Sequence, residues 1–338
     1  MVWSSTRVPF DPFFDIIEGF LKMNIISLAV VKLVLVAFLG FWLYRKNYIE
    51  SNSLKFLTFF VINISIPFLI FSHLIENLKG VSVYNVGAFL FISFFIFFVG
   101  TILGSLLSFK PIVGCHKKEF ISGVSFQNAG YLPMNIAVFL LPAELREQFL
   151  VYIFLYLLGF NISMWSVGSY FIFKNKGDSF NFKSLLTLPV VSTIIAVIFV
   201  YAGISSFIPD VILSPMKMIG NTSFVFSMII LGCWLAQVSI KGMYKRFVCL
   251  GWLSFLKLMV MPLIFLGLIV KFGIFSLLGL FILLQSAMPS AASLPIIADF
   301  RGADSEFISQ GVFITHLLSM FTIPFWVGLF LQVSGFTF

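Results

Sequence analysis

Ser125-Phe-Gln-Asn-Ala-Gly-Tyr-Leu-Pro-Met-Asn135 and Gln285-Ser-Ala-Met-Pro-Ser-Ala-Ala-Ser-Leu-Pro295 decide how this chain folds. Each sets proline among small and polar residues inside an apolar run long enough to cross a bilayer, which takes about 20 residues. A proline within a helix removes one backbone hydrogen bond and strains the turn before it. In hydrocarbon, the amides and carbonyls so freed need partners inside the protein. One such interruption reads as a packed kink. Two, at corresponding places, point to a solute site between two halves of a chain. If the broken helices cross, four half-helix ends converge, and the amino-terminal ends offer N–H groups and positive dipole ends to an anion.

Outward from these stretches, apolar runs recur at 25–44, 54–75, 83–109, 119–141, 148–173, 184–203, 216–239, 247–270, 273–298 and 307–332, with short connections. The interruptions fall in the fourth and ninth runs, so each lies in the fourth of five. An odd number of spans per half forces the halves into opposite orientations. The expected fold is an all-α polytopic membrane protein: ten transmembrane helices, two inverted five-helix repeats, and spans 4 and 9 broken and crossed. Composition agrees. Of 338 residues, 60% are hydrophobic, 10% are charged and 46 are Phe. A soluble domain carries about 25% charged residues. Mean hydropathy is +1.09. These values exclude a disordered, collagenous or disulfide-stapled chain and argue against a soluble enzyme.

The net charge of +8 would suggest nucleic acid in a soluble domain, but in this composition basic residues mark cytoplasmic loops, and no nucleic-acid partner is expected. The connections after spans 1, 3, 5, 7 and 9 carry thirteen Lys and Arg against six on the other side, with Lys32 and Lys257 inside spans. That asymmetry predicts a multi-pass plasma-membrane protein with both termini outside. In the first 23 residues, Phe10, Phe13, Phe14, Ile17 and Leu21 recur at helical spacing opposite Asp11, Asp15, Glu18 and Lys22. They read as an amphipathic interfacial segment over 1–23, with an extended first span as the alternative. Cys115, Cys233 and Cys249 have no metal-ligand spacing, so no disulfide, metal or cofactor is expected.

The candidate substrate-binding residues are Gln127, Asn128, Tyr131, Pro133, Asn135, Ser286, Pro289, Ser290 and Ser293. No Asp or Glu lies in the middle of a span. This counts against a carboxylate-based proton or sodium antiporter and suits an anionic substrate. Lys257, ten residues into span 8, either offsets charge at the site or snorkels to the membrane face. His316 in span 10 either titrates in coupling or serves as an interhelical donor. No nucleophile–base pair or metal motif is present, so an enzyme is not expected.

Three segments carry a family resemblance. The first is Gly40-Phe-Trp-Leu-Tyr-Arg45-Lys46 running on to Asn63-Ile-Ser-Ile-Pro67. The second is Asn128-Ala-Gly130-Tyr131-Leu-Pro133. The third joins Ala287-Met-Pro289-Ser-Ala-Ala, Ala298-Asp299-Phe-Arg-Gly302-Ala-Asp304 and Leu318-Ser319-Met-Phe-Thr322-Ile-Pro324-Phe-Trp326. Together they resemble the auxin efflux carrier family, which includes plant PIN proteins and bacterial organic-acid carriers, over residues 25–332. Asn135 departs from the pattern, standing in a region where many members have proline. The resemblance implies a fold like that of sodium/bile-acid symporters and sodium/proton antiporters. Spans 1, 2, 6 and 7 (24–80 and 184–240) would form a scaffold. Spans 3–5 and 8–10 (81–173 and 247–332) would form a mobile transport domain, with 174–183 a cytoplasmic loop between repeats. It also implies a homodimer through the scaffold and small organic carboxylate substrates, such as dicarboxylates or indole-acetate-like acids. Asn128, Pro133 and Pro289 match family positions; Gln127, Tyr131, Ser286, Ser290 and Ser293 are added by adjacency.

The resulting expectation is a secondary carrier that moves a small organic anion by elevator-type alternating access. An anion channel, a uniporter-like pore, or a sodium- or proton-coupled carrier of another solute are the rivals. A channel needs a polar path along whole spans. Here the polar residues cluster at two midpoints, which favours a carrier.

Overall fold

The computed structural model describes residues 12–79, 83–114, 116–167, 172–173 and 186–337, and among them the structure is helical, with one isolated β-bridge. The helices are α1 (Pro12–Arg45), α2 (Ser51–Phe60), α3 (Ile66–Asn77), α4 (Val83–Leu106), α5 (Lys110–Val113), α6 (Lys117–Ser125), α7 (Tyr131–Leu140) and α8 (Ala143–Ile162). They continue with α9 (Leu188–Tyr201), α10 (Asp210–Gln237), α11 (Phe247–Phe255), α12 (Met261–Phe272), α13 (Leu277–Ala287), α14 (Leu294–Phe300) and α15 (Ser305–Ser334).

Among the described residues, seven stretches are long and apolar enough to cross a membrane: Ile26–Arg45, Ser51–Asn77, Val86–Leu106, Ala143–Trp165, Asp210–Gln237, Met243–Phe272 and Ser305–Ser334. Three shorter apolar helices accompany them, Tyr131–Leu140, Leu188–Tyr201 and Leu277–Ala287. Two of the three come from the interrupted runs. The fourth run divides into α6 and α7, and the ninth into α13 and α14. The loop expected at 174–183 lies outside the described residues. So do residues 1–11 of the expected interfacial segment; from Pro12 onward the chain is one helix to Arg45, without a break near residue 23.

Pro215 in α10 and Pro324 in α15 lie inside continuous helices, and two further prolines follow π turns. Pro67 follows the π turn Val61–Ser65, and Pro262 follows the π turn Leu256–Val260. A π turn is a local adjustment of the helical ladder that accommodates a residue with no N–H. Trp326 Nε1 donates to Leu258 O (2.7 Å), the carbonyl four residues before Pro262, while Asn63 Nδ2 donates to Phe59 O (3.1 Å) and Ser192 Oγ ties α9 to Pro67 O (2.6 Å).

α1 packs chiefly on α10, and α3 on α9 and α10. α4 packs on α6 and α8, and α15 on α1, α13, α14 and α11. α7 touches α1, α8 and α10. The α1–α10 contact is backbone on backbone: a Cβ at Gly40 would lie 2.1 Å from Ile229 O, and one at Gly232 would lie 1.8 Å from Ala37 O. Helices associate this way in lipid, where small residues allow close approach. The outer surface carries Phe91, Phe98 and Ile102 on α4, Val211 on α10 and Phe321 on α15, all more than half exposed. That much apolar surface needs a lipid surround. The chain is an integral multi-pass membrane protein.

Candidate functional site

The two interruptions lie against each other. α6 ends at Ser125, and Phe126 turns extended (φ −99°, ψ 124°). α13 ends at Ala287, and Met288 is extended (φ −65°, ψ 143°). Gln127 and Ser290 then pair as an antiparallel bridge, with Asn128 N donating to Pro289 O (2.8 Å) and Ala291 N to Phe126 O (3.0 Å). Broken backbone in one helix therefore satisfies broken backbone in the other. The prolines fit this arrangement: Pro133 lies in the first turn of α7 and Pro295 in that of α14, where a missing N–H costs little, and Pro289 lends its carbonyl.

The last turn of α6 has lost its helical acceptor–donor pairing, and side chains replace it. Ser290 Oγ donates to Gly123 O (2.7 Å) and Lys257 Nζ to Val124 O (3.0 Å). Lys257 is fully buried, carried in the Leu256–Val260 π turn. An amine at a helix carboxyl end also meets the negative end of the helix dipole. Gln285 Nε2 donates across the break to Ala129 O (3.1 Å), and Ser290 N donates to Thr315 Oγ1 (3.3 Å). Gln127 Nε2 donates to the hydroxyl of Tyr156. The side-chain oxygens of Gln127 and Gln285 are buried and have no protein partner, unlike the other polar groups of the crossing.

Asn128 occupies the position between the break and α7. Its Oδ1 accepts from Leu132 N (3.5 Å), and its Nδ2 meets His316 Nε2 (3.1 Å). The Nδ1 of His316 lies 2.8 Å from Val312 O, which can only accept. Nδ1 therefore carries a hydrogen, Nε2 accepts from Asn128, and the imidazole is neutral in this arrangement.

Two cavities flank the crossing. One of about 120 Å³ is lined by Gln127, Asn128, Tyr131 and Ser293 on its polar side and by Ile62, Ile66, Leu157, Phe160 and Trp165 on its apolar side. The other, about 260 Å³, lies between α1, α7, α10 and α15, with His316 and Ser319 among apolar side chains. Neither lining includes an Asp, Glu, Lys or Arg.

The sequence-derived candidates thus divide. Gln127, Asn128, Tyr131 and Ser293 share one cavity; Pro289, Ser290 and Lys257 hold the crossing itself; His316 reaches it from α15. Asn135 points elsewhere, its Nδ2 donating to Tyr131 O (2.8 Å) and to Ser227 Oγ on α10 (3.1 Å). Ser286 Oγ donates within its own helix, to Leu283 O (2.7 Å). Gln285, Thr315 and Tyr156 belong to the crossing and were not among the candidates. A tyrosine and a threonine in the middle of apolar runs were the available signals, since their hydroxyls need buried partners.

Charged groups gather away from the crossing. His73 Nε2 on α3 meets Glu147 Oε2 on α8 at 2.7 Å, and Lys217 Nζ on α10 meets Glu76 Oε2 at 2.5 Å, around a cavity of about 510 Å³. Near the start of α15, Asp304 accepts from Arg246 Nη2 (3.0 Å) and caps the helix by accepting from Phe307 N (2.9 Å). Its own amide donates to Glu119 Oε1 (3.0 Å).

Residues 25–327 match the family described as membrane transport protein. No curated protein matches the chain.

Proposed function

The chain belongs to the auxin efflux carrier family of membrane transport proteins, whose members are transporters and not enzymes, and from that premise we propose that it is a secondary carrier of a small organic anion. The observation that carries this reading is the antiparallel pairing of two helix breaks, which leaves the amino-terminal end of α7 and the amide of Asn128 at the edge of a cavity. Backbone N–H groups at a helix start favour negative charge. A carboxylate at Asn128 and the first turn of α7 is the arrangement we infer.

The cavity walls narrow the substrate class. A second carboxylate would sit against Ile62, Leu157 or Phe160 with no cation in the lining, at a high desolvation cost. A monocarboxylate with an apolar body suits the walls better. Gln127 Oε1 offers an acceptor to a hydroxyl or N–H on that body.

In this reading the chain crosses the membrane ten times as two inverted five-helix repeats. α6–α7 and α13–α14 form the crossed fourth spans of the two repeats, and both termini lie outside. α1–α3, α9 and α10 form a scaffold through which two copies pair. α4–α8 and α11–α15 carry the site past the scaffold in an elevator motion. The packing of α1 on α10 and of α3 on α9 and α10 is consistent with such a scaffold, and α1 also packs on α7 and α15 across the division. Asn128→Ala is expected to abolish anion uptake into proteoliposomes while the protein remains folded and monodisperse. Wild-type uptake by that variant would overturn the assignment of the site.

A further inference from the structure

We propose that His316 is the proton-binding site of this carrier, and that its protonation prepares the anion site by turning the amide of Asn128. The inference rests on the reading of the crossing as an anion site and goes beyond it by assigning a coupling ion.

The hydrogen-bond directions at Asn128 determine the argument. Val312 O fixes the hydrogen of His316 on Nδ1, so a proton can be added only at Nε2. Nε2 accepts from Asn128 Nδ2 at 3.1 Å. Once Nε2 carries a proton, two donors face each other, and the amide must rotate to present Oδ1. That rotation takes Oδ1 away from Leu132 N and places Nδ2 beside it. Two donors at the start of α7, the amide of Asn128 and the N–H of Leu132, then face the same region with an imidazolium behind them. A carboxylate has two oxygens to accept from both. Without the anion these donors oppose each other, and without the proton Oδ1 occupies Leu132 N–H. Each ligand thereby favours the other, as linkage between two sites requires.

The surroundings leave His316 as the group for this task. The α1, α7 and α10 walls of its cavity present Leu33, Ala37, Ile136, Met228 and Leu231. Its own helix brings Thr315 and Ser319, both engaged with carbonyls of α15. Lys257, from the π turn before α12, donates to Val124 O, and Lys32 on α1 lies over the ring of Phe139 (5.8 Å). The tyrosines at the crossing are Tyr156, bound to Gln127, and Tyr131, packed beside Trp234. No carboxylate lines either cavity. Asn128 and His316 line different cavities, so the proton and the anion reach one hydrogen bond from opposite sides.

The test begins with counterflow of labelled acetate, pyruvate, benzoate and indole-3-acetate by the wild-type protein in proteoliposomes at equal pH on both sides. For whichever acid exchanges, a gradient of one pH unit, acid outside, is expected to drive uptake toward an inside-to-outside ratio of about ten, at an initial rate above that of protein-free vesicles, as one proton per anion permits. In His316→Gln, whatever exchange remains should not respond to the gradient. A second readout needs no variant: adding that acid, as its anion, to lightly buffered wild-type protein should cause uptake of one proton per site, read with a pH dye. Gradient-driven accumulation retained in His316→Gln, or anion binding with no proton uptake, would overturn the proposal and leave the anion site standing. Exchange of none of the acids by folded wild-type protein would overturn both.

Discussion

Ser290→Ala removes the hydroxyl that donates to Gly123 O at 2.7 Å. In an unbroken helix that carbonyl would accept from the amide four residues on, but Gln127 lies in the extended bridge. The variant therefore leaves a buried carbonyl without its donor, which costs about 1–3 kcal/mol. Ser286→Ala is the matched control, one residue past Gln285 in the same interrupted run. Its hydroxyl also donates at 2.7 Å, but to Leu283 O, a carbonyl within α13 that keeps its place in the helical ladder. Losing that bond orphans nothing, and alanine is the better helix former, so the net change stays within about 0.5 kcal/mol. The two substitutions delete the same atom from equally buried serines, and the structure predicts a difference of about 1 kcal/mol or more between them. Reversible unfolding in mixed micelles, followed by tryptophan fluorescence, measures it. Equal effects, or a larger loss in Ser286→Ala, would refute the assignment of Ser290 as the donor that closes the end of α6.

Other outcomes follow from the same geometry. Lys257→Met should leave the protein no less stable, because one hydrogen bond recovers only part of what burying an amine costs. Gly232→Ala would place a methyl group 1.8 Å from Ala37 O, so α1 and α10 must separate. Overpacking of this kind costs about 1–3 kcal/mol and should appear as loss of monodisperse protein on size exclusion. Glu147→Gln removes the charge that meets His73 between α3 and α8. In the elevator reading that pair must part during transport, so uptake rate should change more than anion affinity, which the ratio of kcat to KM effects would reveal.

The position of the crossing was legible in the sequence because proline among small polar residues, inside an apolar run, has few other outcomes in lipid. The partners of the crossing were less legible. Asn128 and Ser290 could be named from their adjacency to proline, but Gln285 stands at the margin of its motif, and Thr315 and Tyr156 come from other helices. Pairing across such separations depends on tertiary register, which periodicity does not encode. Asn135 shows the reverse. Its place near Pro133 suggested the site, yet α7 is already helical there, and its side chain turns to Ser227 on α10. The division of the fourth run into two helices too short to cross follows from the non-helical residues 126–130, which hydropathy alone reads as part of one span. The first helix runs unbroken from Pro12 to Arg45, the alternative that the sequence also offered for its amino-terminal stretch.

The central claim is that the paired breaks hold a small organic anion. Counterflow in proteoliposomes tests it most directly, with internal unlabelled acid and external labelled acid across a panel of mono- and dicarboxylates. The account predicts saturable exchange of a monocarboxylate with an apolar body, little exchange of dicarboxylates, and loss of exchange in Asn128→Ala. Absence of exchange for every acid, by folded wild-type protein, would contradict it.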